Sequence, residues 1–298
     1  MAQVLRTPEE RFFGLPGYDF ASHYVDDLEA CPGLRIHHLD EGPQNADRVF
    51  LCLHGQPTWS YLYRRMIPVF REAGHRVVAP DLAGFGKSDK PADDSRYTYN
   101  FHREMLCELV QRLDLRNIVL VVQDWGGLLG LTLPMQAPER YTGLLVMNTA
   151  FATGDLPLGQ GFLDWRAYNN KYPDMAVGKL MARSCPQLTP AEAAAYDAPF
   201  PDASYKAGVR RFPNLVPDHP DAEGAALSRQ AREWFRTQWQ GKSFMAVGMK
   251  DPVLGPAVMR YVAAQIRNCP APMEVAEGGH FLQEWGEPVA RAALKGLA

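Results

Sequence analysis

The chain is predicted to be an α/β domain whose mostly parallel, doubly wound sheet is interrupted by a helical insertion. Three observations carry this prediction. Short apolar runs alternate with longer stretches of helical periodicity along most of the 298 residues. Several of those runs lack polar alternation, as expected of strands covered by helices on both faces. Between about residue 150 and residue 217 the alternation stops, and prolines and short helical fragments replace it. Strand–helix–strand order places successive strands side by side through right-handed crossovers.

Taken in order, the candidate strands are Leu34–Leu39, Val49–Leu53, Arg76–Ala79, Ile118–Val122, Leu144–Asn148, Ser243–Val247 and Met273–Val275. The candidate helices between and after them are Tyr61–Ala73, Phe101–Leu113, Leu128–Ala137 and Ala222–Trp239. Gly161–Asn170, Met175–Arg183 and Pro190–Ala195 read as helical fragments of the insertion. The expected organisation is a core made of residues 1–150 and 217–298, with residues 151–216 as a helical cap. Such an insertion would lie over the strand ends, where open α/β sheets bind ligands. There it can exclude water as a lid. The alternative is an excursion that only adds stability.

Composition excludes several function classes. Hydrophobic residues make up 46% and charged residues 22%, the balance of an ordinary globular enzyme. A net charge of −3 gives no basic surface for nucleic acid. Five scattered cysteines, Cys31, Cys52, Cys107, Cys185 and Cys269, show no C-x-x-C spacing. An odd, dispersed set argues against a disulfide framework or a zinc site and for a reducing compartment, so the expected location is cytoplasmic. Cys52, inside an apolar run, reads as a small core residue. Met1–Gly14 is charged and lacks a signal-length apolar stretch, and no membrane span is expected.

The most informative segment is Ile118-Val-Leu-Val-Val-Gln-Asp-Trp-Gly-Gly127. An apolar strand stops at a carboxylate, an indole and two glycines, and a helical pattern follows. This is the form of the α/β-hydrolase nucleophile elbow, with Asp124 in the slot usually held by Ser. A carboxylate is ionised at neutral pH and can attack saturated carbon without a base to activate it. The plainer alternative is an Asp that caps the next helix.

Four further features bear on Asp124. His54-Gly55-Gln56-Pro57 follows the strand Val49–Leu53, and the backbone N–H groups of Gln56 and Trp125 would pair as an oxyanion hole. Gly86-Lys87-Ser88 resembles the end of a phosphate loop, but the required Gly is replaced by Asp81, so a structural turn is the better account. His280, after Gly278-Gly279, occupies the last slot in the chain order nucleophile, acid, histidine. Asp251, after the strand Ser243–Val247, is the expected acid. The alternative acid slot ends the preceding strand and holds Asn148, which carries no charge.

Together these residues resemble the haloalkane dehalogenase family of the α/β-hydrolase fold. The matching motifs are His54–Arg64, Asp81–Ser88, Val121–Gly127, Lys250-Asp251-Pro252 and Gly278-Gly279-His280, and the resemblance runs from about Tyr18 to the C-terminus. It is nearest the subgroup whose acid follows the seventh strand. The resemblance implies Asp124 as nucleophile, His280 as base, Asp251 as its partner, and Trp125 and Trp165 as halide-binding residues. Trp59 and Trp234 are reserves for the second indole. Phe162, Leu163, Leu254 and Phe281 are the expected pocket walls.

The implied reaction turns a haloalkane and water into alcohol and halide through a covalent ester, with no metal or organic cofactor, no nucleic-acid or membrane partner, and a monomeric protein. Its nearest rival is epoxide hydrolysis, which uses the same Asp but needs two cap phenols to protonate the opening ring. Tyr168, Tyr172, Tyr196 and Tyr205 are the cap tyrosines. A haloacid dehalogenase of this fold would be expected to carry Arg where Trp125 stands. A non-catalytic binding protein on this fold would be expected to have lost a member of the triad.

Overall fold

The computed structural model describes residues 3–298. Eight strands form the main sheet: β1 (His23–Val25), β2 (Ile36–Glu41), β3 (Val49–Leu53), β4 (Arg76–Pro80), β5 (Ile118–Gln123), β6 (Tyr141–Met147), β7 (Lys242–Gly248) and β8 (Met273–Val275). Their order is β8-β7-β6-β5-β3-β4-β2-β1. Only β2 runs against its neighbours; every other pairing is parallel. Every residue of β3 and β5 is buried, which accounts for their unbroken apolar sequences. A separate two-residue ribbon pairs Val4–Leu5 with Lys90–Pro91.

Ten α-helices accompany the sheet: α1 (Ile67–Glu72), α2 (Tyr99–Arg112), α3 (Trp125–Gly130), α4 (Gln160–Lys171), α5 (Val177–Ser184), α6 (Pro190–Ala195), α7 (Ala207–Arg211), α8 (Ala225–Thr237), α9 (Pro256–Ala264) and α10 (Gly286–Gly296). Helices α4 to α7 fall within residues 151–216, where no strand forms.

The departures from expectation have local causes. The first predicted strand moves from Leu34–Leu39 to Ile36–Glu41, because Asp40 and Glu41 pair with Val78 and Val77 of β4. Asp40 stays in the ladder through its bidentate contact with Arg76, at 2.8 and 2.7 Å. The helix predicted over Tyr61–Ala73 divides into a 3-10 turn, Ser60–Tyr63, and α1. Pro68 sits in the first turn of α1, the one place in a helix where its missing N–H does no harm. The helix predicted over Leu128–Ala137 starts at Trp125 and stops at Gly130, since Pro134 would clash with the carbonyl four residues back. Strand β1 and helices α7, α9 and α10 were not anticipated.

Candidate active site

The expected site residues, apart from Trp165 on α4, sit at the carboxyl ends of parallel strands. His54–Pro57 follows β3, Asp124 follows β5, Asp251 lies beyond β7, and His280 lies beyond β8. Asp124 occupies a sharp turn with φ 49° and ψ −127°. Positive φ is uncommon for a residue with a side chain, and strain of this kind clusters where function requires it. The turn survives because its neighbours leave no alternative. A Cβ on Gly126 would lie 2.0 Å from the Leu53 carbonyl oxygen, and one on Gly55 would lie 2.3 Å from Asp124 Oδ1. Thr149 Oγ1 donates to the Asp124 carbonyl at 2.8 Å and holds the turn from the other side.

The carboxylate oxygens of Asp124 have different surroundings. The Gln56 N–H donates to Oδ1 at 2.8 Å. Oδ2 faces His280 Nε2 at 3.5 Å. The His54 ring secures the turn that presents Gln56: Nε2 accepts from the Leu82 N–H at 3.0 Å, and Nδ1 lies 2.9 Å from the Gly55 carbonyl. The Gln56 side chain donates to the Val209 carbonyl in α7, tying this turn to the 151–216 segment. Trp125 opens α3, where helix geometry leaves N–H groups without intrahelical acceptors.

His280 Nδ1 stands 2.9 Å from Asp251 Oδ2. That oxygen also accepts from Asn148 Nδ2 at 2.8 Å, while Oδ1 accepts from the Val253 N–H at 2.8 Å. Burial alone would raise the Asp251 pKa, but the charge of His280 and these hydrogen bonds leave it lowered. His280 shows the converse balance: burial favours the neutral ring, yet the charges of Asp251 and Asp124 raise its pKa to about 10. Asn148, read in the sequence only as an empty acid slot, thus holds the acid in place. Its own Oδ1 accepts from the Gly248 N–H at 2.9 Å. Gln123 was also passed over; its Nε2 donates to the His280 carbonyl at 3.0 Å.

A cavity of about 1200 Å³ lies between these strand ends and the 151–216 segment. Asp124, His280, Trp125 and Trp165 all border it, with mostly apolar residues around them. Among the described residues, neither the Trp125 nor the Trp165 indole N–H has a protein acceptor, whereas that of Trp239 donates to Ser243. The reserve indoles lie elsewhere. Trp59 is fully buried away from the cavity, and Trp234 packs against Phe235 and Trp239. Phe162, Leu254 and Phe281 border the cavity as expected; Leu163 does not. The Gly86-Lys87-Ser88 segment is a turn around the buried Asp81 carboxylate, which accepts from the backbone of Ser60 and Lys87. The five cysteines are free thiols. Among the described residues, no helix is long and apolar enough to cross a membrane.

A parallel sheet with a carboxylate on a strained turn after its fifth strand, a histidine after its last strand and an acid behind that histidine is an α/β-hydrolase arrangement. The family model for the alpha/beta hydrolase fold matches residues 48–287. Within that fold the chain belongs to the haloalkane dehalogenases. It is 46% identical to a haloalkane dehalogenase of Psychrobacter cryohalolentis, over 98% of this chain and 97% of the relative. It is 42% identical to one of Mycobacterium marinum, over 96% of each. A solved structure from Paraglaciecola agarilytica, described as a tetrameric haloalkane dehalogenase, superposes with a TM-score of 0.96 at 50% identity, covering 98% of both chains.

Proposed function

We propose that this protein hydrolyses haloalkanes through an ester formed on Asp124, with His280 as base, Asp251 as its partner and the Trp125 and Trp165 indoles as the halide cradle. The observation that carries this reading is the convergence of the Asp124 carboxylate, the His280 imidazole and the unpartnered Trp125 and Trp165 indole N–H donors on a single, mostly apolar cavity.

Asp124 Oδ1 is held by Gln56, so Oδ2 attacks the carbon. The C–O bond forms as the carbon–halogen bond breaks, and the halide leaves with the bonding pair. Indole N–H groups are neutral, donor-only partners that bind a departing anion better than a bound alkyl halide, which is the condition for acceleration. Esterification removes the Asp124 charge that helps keep His280 protonated. The ring then loses its proton to solvent and becomes a base. It takes a proton from water as the hydroxide adds to Asp124 Cγ. Oxygen Oδ1 becomes the oxyanion, already bonded by the Gln56 N–H, and the Trp125 N–H is the second donor of the proposed hole. Collapse expels the alkoxide, which takes up the intermediate's hydroxyl proton. Asp124 is again a carboxylate, and His280 is again a cation held by Asp251.

The acid after the seventh strand is the subgroup pattern, and residues 151–216 act as the cap that excludes water from the ester. Epoxide hydrolysis is disfavoured because only Tyr168 of the four cap tyrosines borders the cavity, while Tyr196 is buried against Glu284. Haloalkane and water are the substrates, alcohol and halide the products. For assembly, the expected monomer yields to self-association as the reading, since the relative described as a tetramer matches over 98% of the chain. Light scattering on the purified protein decides between them.

A single turnover in heavy-oxygen water with one equivalent of 1-bromobutane tests the covalent route. The label is expected first in the Asp124 carboxyl and not in the first equivalent of alcohol. Label in that first alcohol would eliminate the ester.

A further inference from the structure

A buried ionic cluster joins three parts of the chain that the sequence keeps far apart. Arg64, just past the 3-10 turn Ser60–Tyr63, is 4% exposed and grips Glu284 with both arms, Nη1 to Oε1 at 2.6 Å and Nη2 to Oε2 at 2.9 Å. Arg65 Nε adds a third bond to Glu284 Oε2, at 3.0 Å. Glu284 belongs to the turn Leu282–Trp285, four residues beyond His280. The other side of the cluster comes from α6. The Tyr196 hydroxyl, at the end of that helix, donates to Glu284 Oε1. Glu192 Oε1 accepts from Arg64 Nη2 at 3.1 Å and from Arg65 Nη2 at 2.5 Å.

None of these five residues borders the cavity. Their common feature is what they fasten. The turn they hold is preceded by Phe281, which follows His280 directly in the chain, and ends at Trp285; both border the cavity. Gln123, beside the nucleophile, already fixes the His280 carbonyl from below. Glu284 fixes the following turn from the side, and one of its three side-chain partners, Tyr196, belongs to the 151–216 segment. A buried, bidentate guanidinium–carboxylate contact is directional, unlike an exposed pair whose geometry is loose. Movement of α6 therefore cannot be separated from movement of the turn behind the histidine.

We propose that Tyr196 and Glu192 are positioning residues for the base: through Glu284 they couple the seating of the cap to the aim of His280, so that the ester is hydrolysed only beneath a seated cap. This rests on the reading of His280 as the base of the second step. Ester formation needs Asp124 and the indoles, and neither Tyr196 nor Glu192 bonds to any of them, so removing either contact acts on the second half-reaction and not on the first. A cluster that merely added stability would lack this asymmetry.

Tyr196→Phe keeps the ring and removes one hydrogen bond. With 1-bromobutane under rapid mixing, it is expected to release its first equivalent of halide at the wild-type rate. Its steady-state rate should fall about ten- to a hundredfold, the range expected when a reacting group is misplaced. Intact mass should show the alkyl adduct accumulating on the enzyme. Glu192→Gln should shift the partition the same way by less. Asp174→Asn, which breaks a different cap ion pair with Lys206, should leave the partition at the wild-type value whatever it does to the melting temperature. The proposal is overturned if Tyr196→Phe slows both half-reactions equally, or if it loses thermal stability without accumulating adduct. A wild-type enzyme that releases no halide at all would instead remove the dehalogenase reading beneath it.

Discussion

His280 stands between two carboxylates, with Nε2 3.5 Å from Asp124 Oδ2 and Nδ1 2.9 Å from Asp251 Oδ2. One contact is a full hydrogen bond and the other is open by several tenths of an ångström, as befits a face that must admit water. In the proposed mechanism the ring serves the second half-reaction and is idle in the first. His280→Phe is therefore expected to release about one equivalent of halide and then stop. Loss of a general base typically slows its step about 10²–10⁴-fold. Intact-protein mass spectrometry should find the alkyl group retained, and peptide mapping should assign it to Asp124. Sustained turnover by this variant would falsify the assignment of the base.

The same geometry fixes a pH dependence. The His280 pKa is raised to about 10 in the free enzyme, against burial, by Asp251 and Asp124. A raised folded-state pKa stabilises the fold fully below the unfolded value, about 6.5 for histidine. That contribution is lost as pH rises through about 10. Melting temperatures should therefore decline between about pH 6.5 and 10, and the decline should be shallower in Asp124→Asn, where one of the two charges is gone. Imidazole NMR should show the His280 titration moving down in that variant. An unchanged titration would mean that Asp124 does not hold the proton, and esterification could not release it.

The Trp125 and Trp165 indoles should behave as a pair. A hydrogen bond to a charged group contributes about 1.5–3 kcal/mol, so losing one weakens anion binding by roughly ten- to a hundredfold. Trp125→Phe and Trp165→Phe should each weaken bromide binding by that much, read by isothermal titration so that the lost fluorophore does not confuse the signal. Trp59→Phe should leave the constant unchanged, because that indole is sealed in the core. An unaltered bromide constant for Trp165→Phe would take the second donor away from α4.

What the sequence made legible depended on how local the cause was. Asp124, Asp251 and His280 could be read because a strand end, a turn residue and a chain order each leave a contiguous mark. The extents of α1 and α3 were misread for an equally local reason: Pro68 and Pro134 sat in view but were given too little weight. Asn148, Gln123 and Glu284 could not be read. Each acts through a partner more than 100 residues away, and no spacing or periodicity reports such a contact. The lack of charge on Asn148 disqualified it as the acid but gave no sign of its hydrogen bond to Asp251. The aromatic positions divide in the same way. Trp125 is placed by its neighbour Asp124, whereas Trp165 depends on how α4 lies over the sheet.

Asn148 supplies the last prediction. Its amide is wholly buried and is used at both ends, Nδ2 donating to Asp251 and Oδ1 accepting from the Gly248 N–H. Truncation to alanine removes one donor from the acid and orphans a buried backbone N–H at the end of β7. An unsatisfied buried group costs about 1–3 kcal/mol, and denaturant unfolding should show a loss in that range. The catalytic effect has a separate sign. With one fewer hydrogen bond, the Asp251 carboxylate is less stabilised as an anion and its pKa rises. The carboxylate is also less fixed in the position from which it aims the His280 ring, so the ring points at the ester less often. Ester hydrolysis should slow while halide release in the first turnover keeps its wild-type rate, because no atom of Asn148 touches the Asp124 carboxylate or the indoles. Rapid-mix halide release followed by quench and alcohol analysis separates the two steps. If Asn148→Ala loses the stability but retains the hydrolysis rate, Asp251 is held well enough by the Val253 N–H and His280 alone, and Asn148 serves the strand end only.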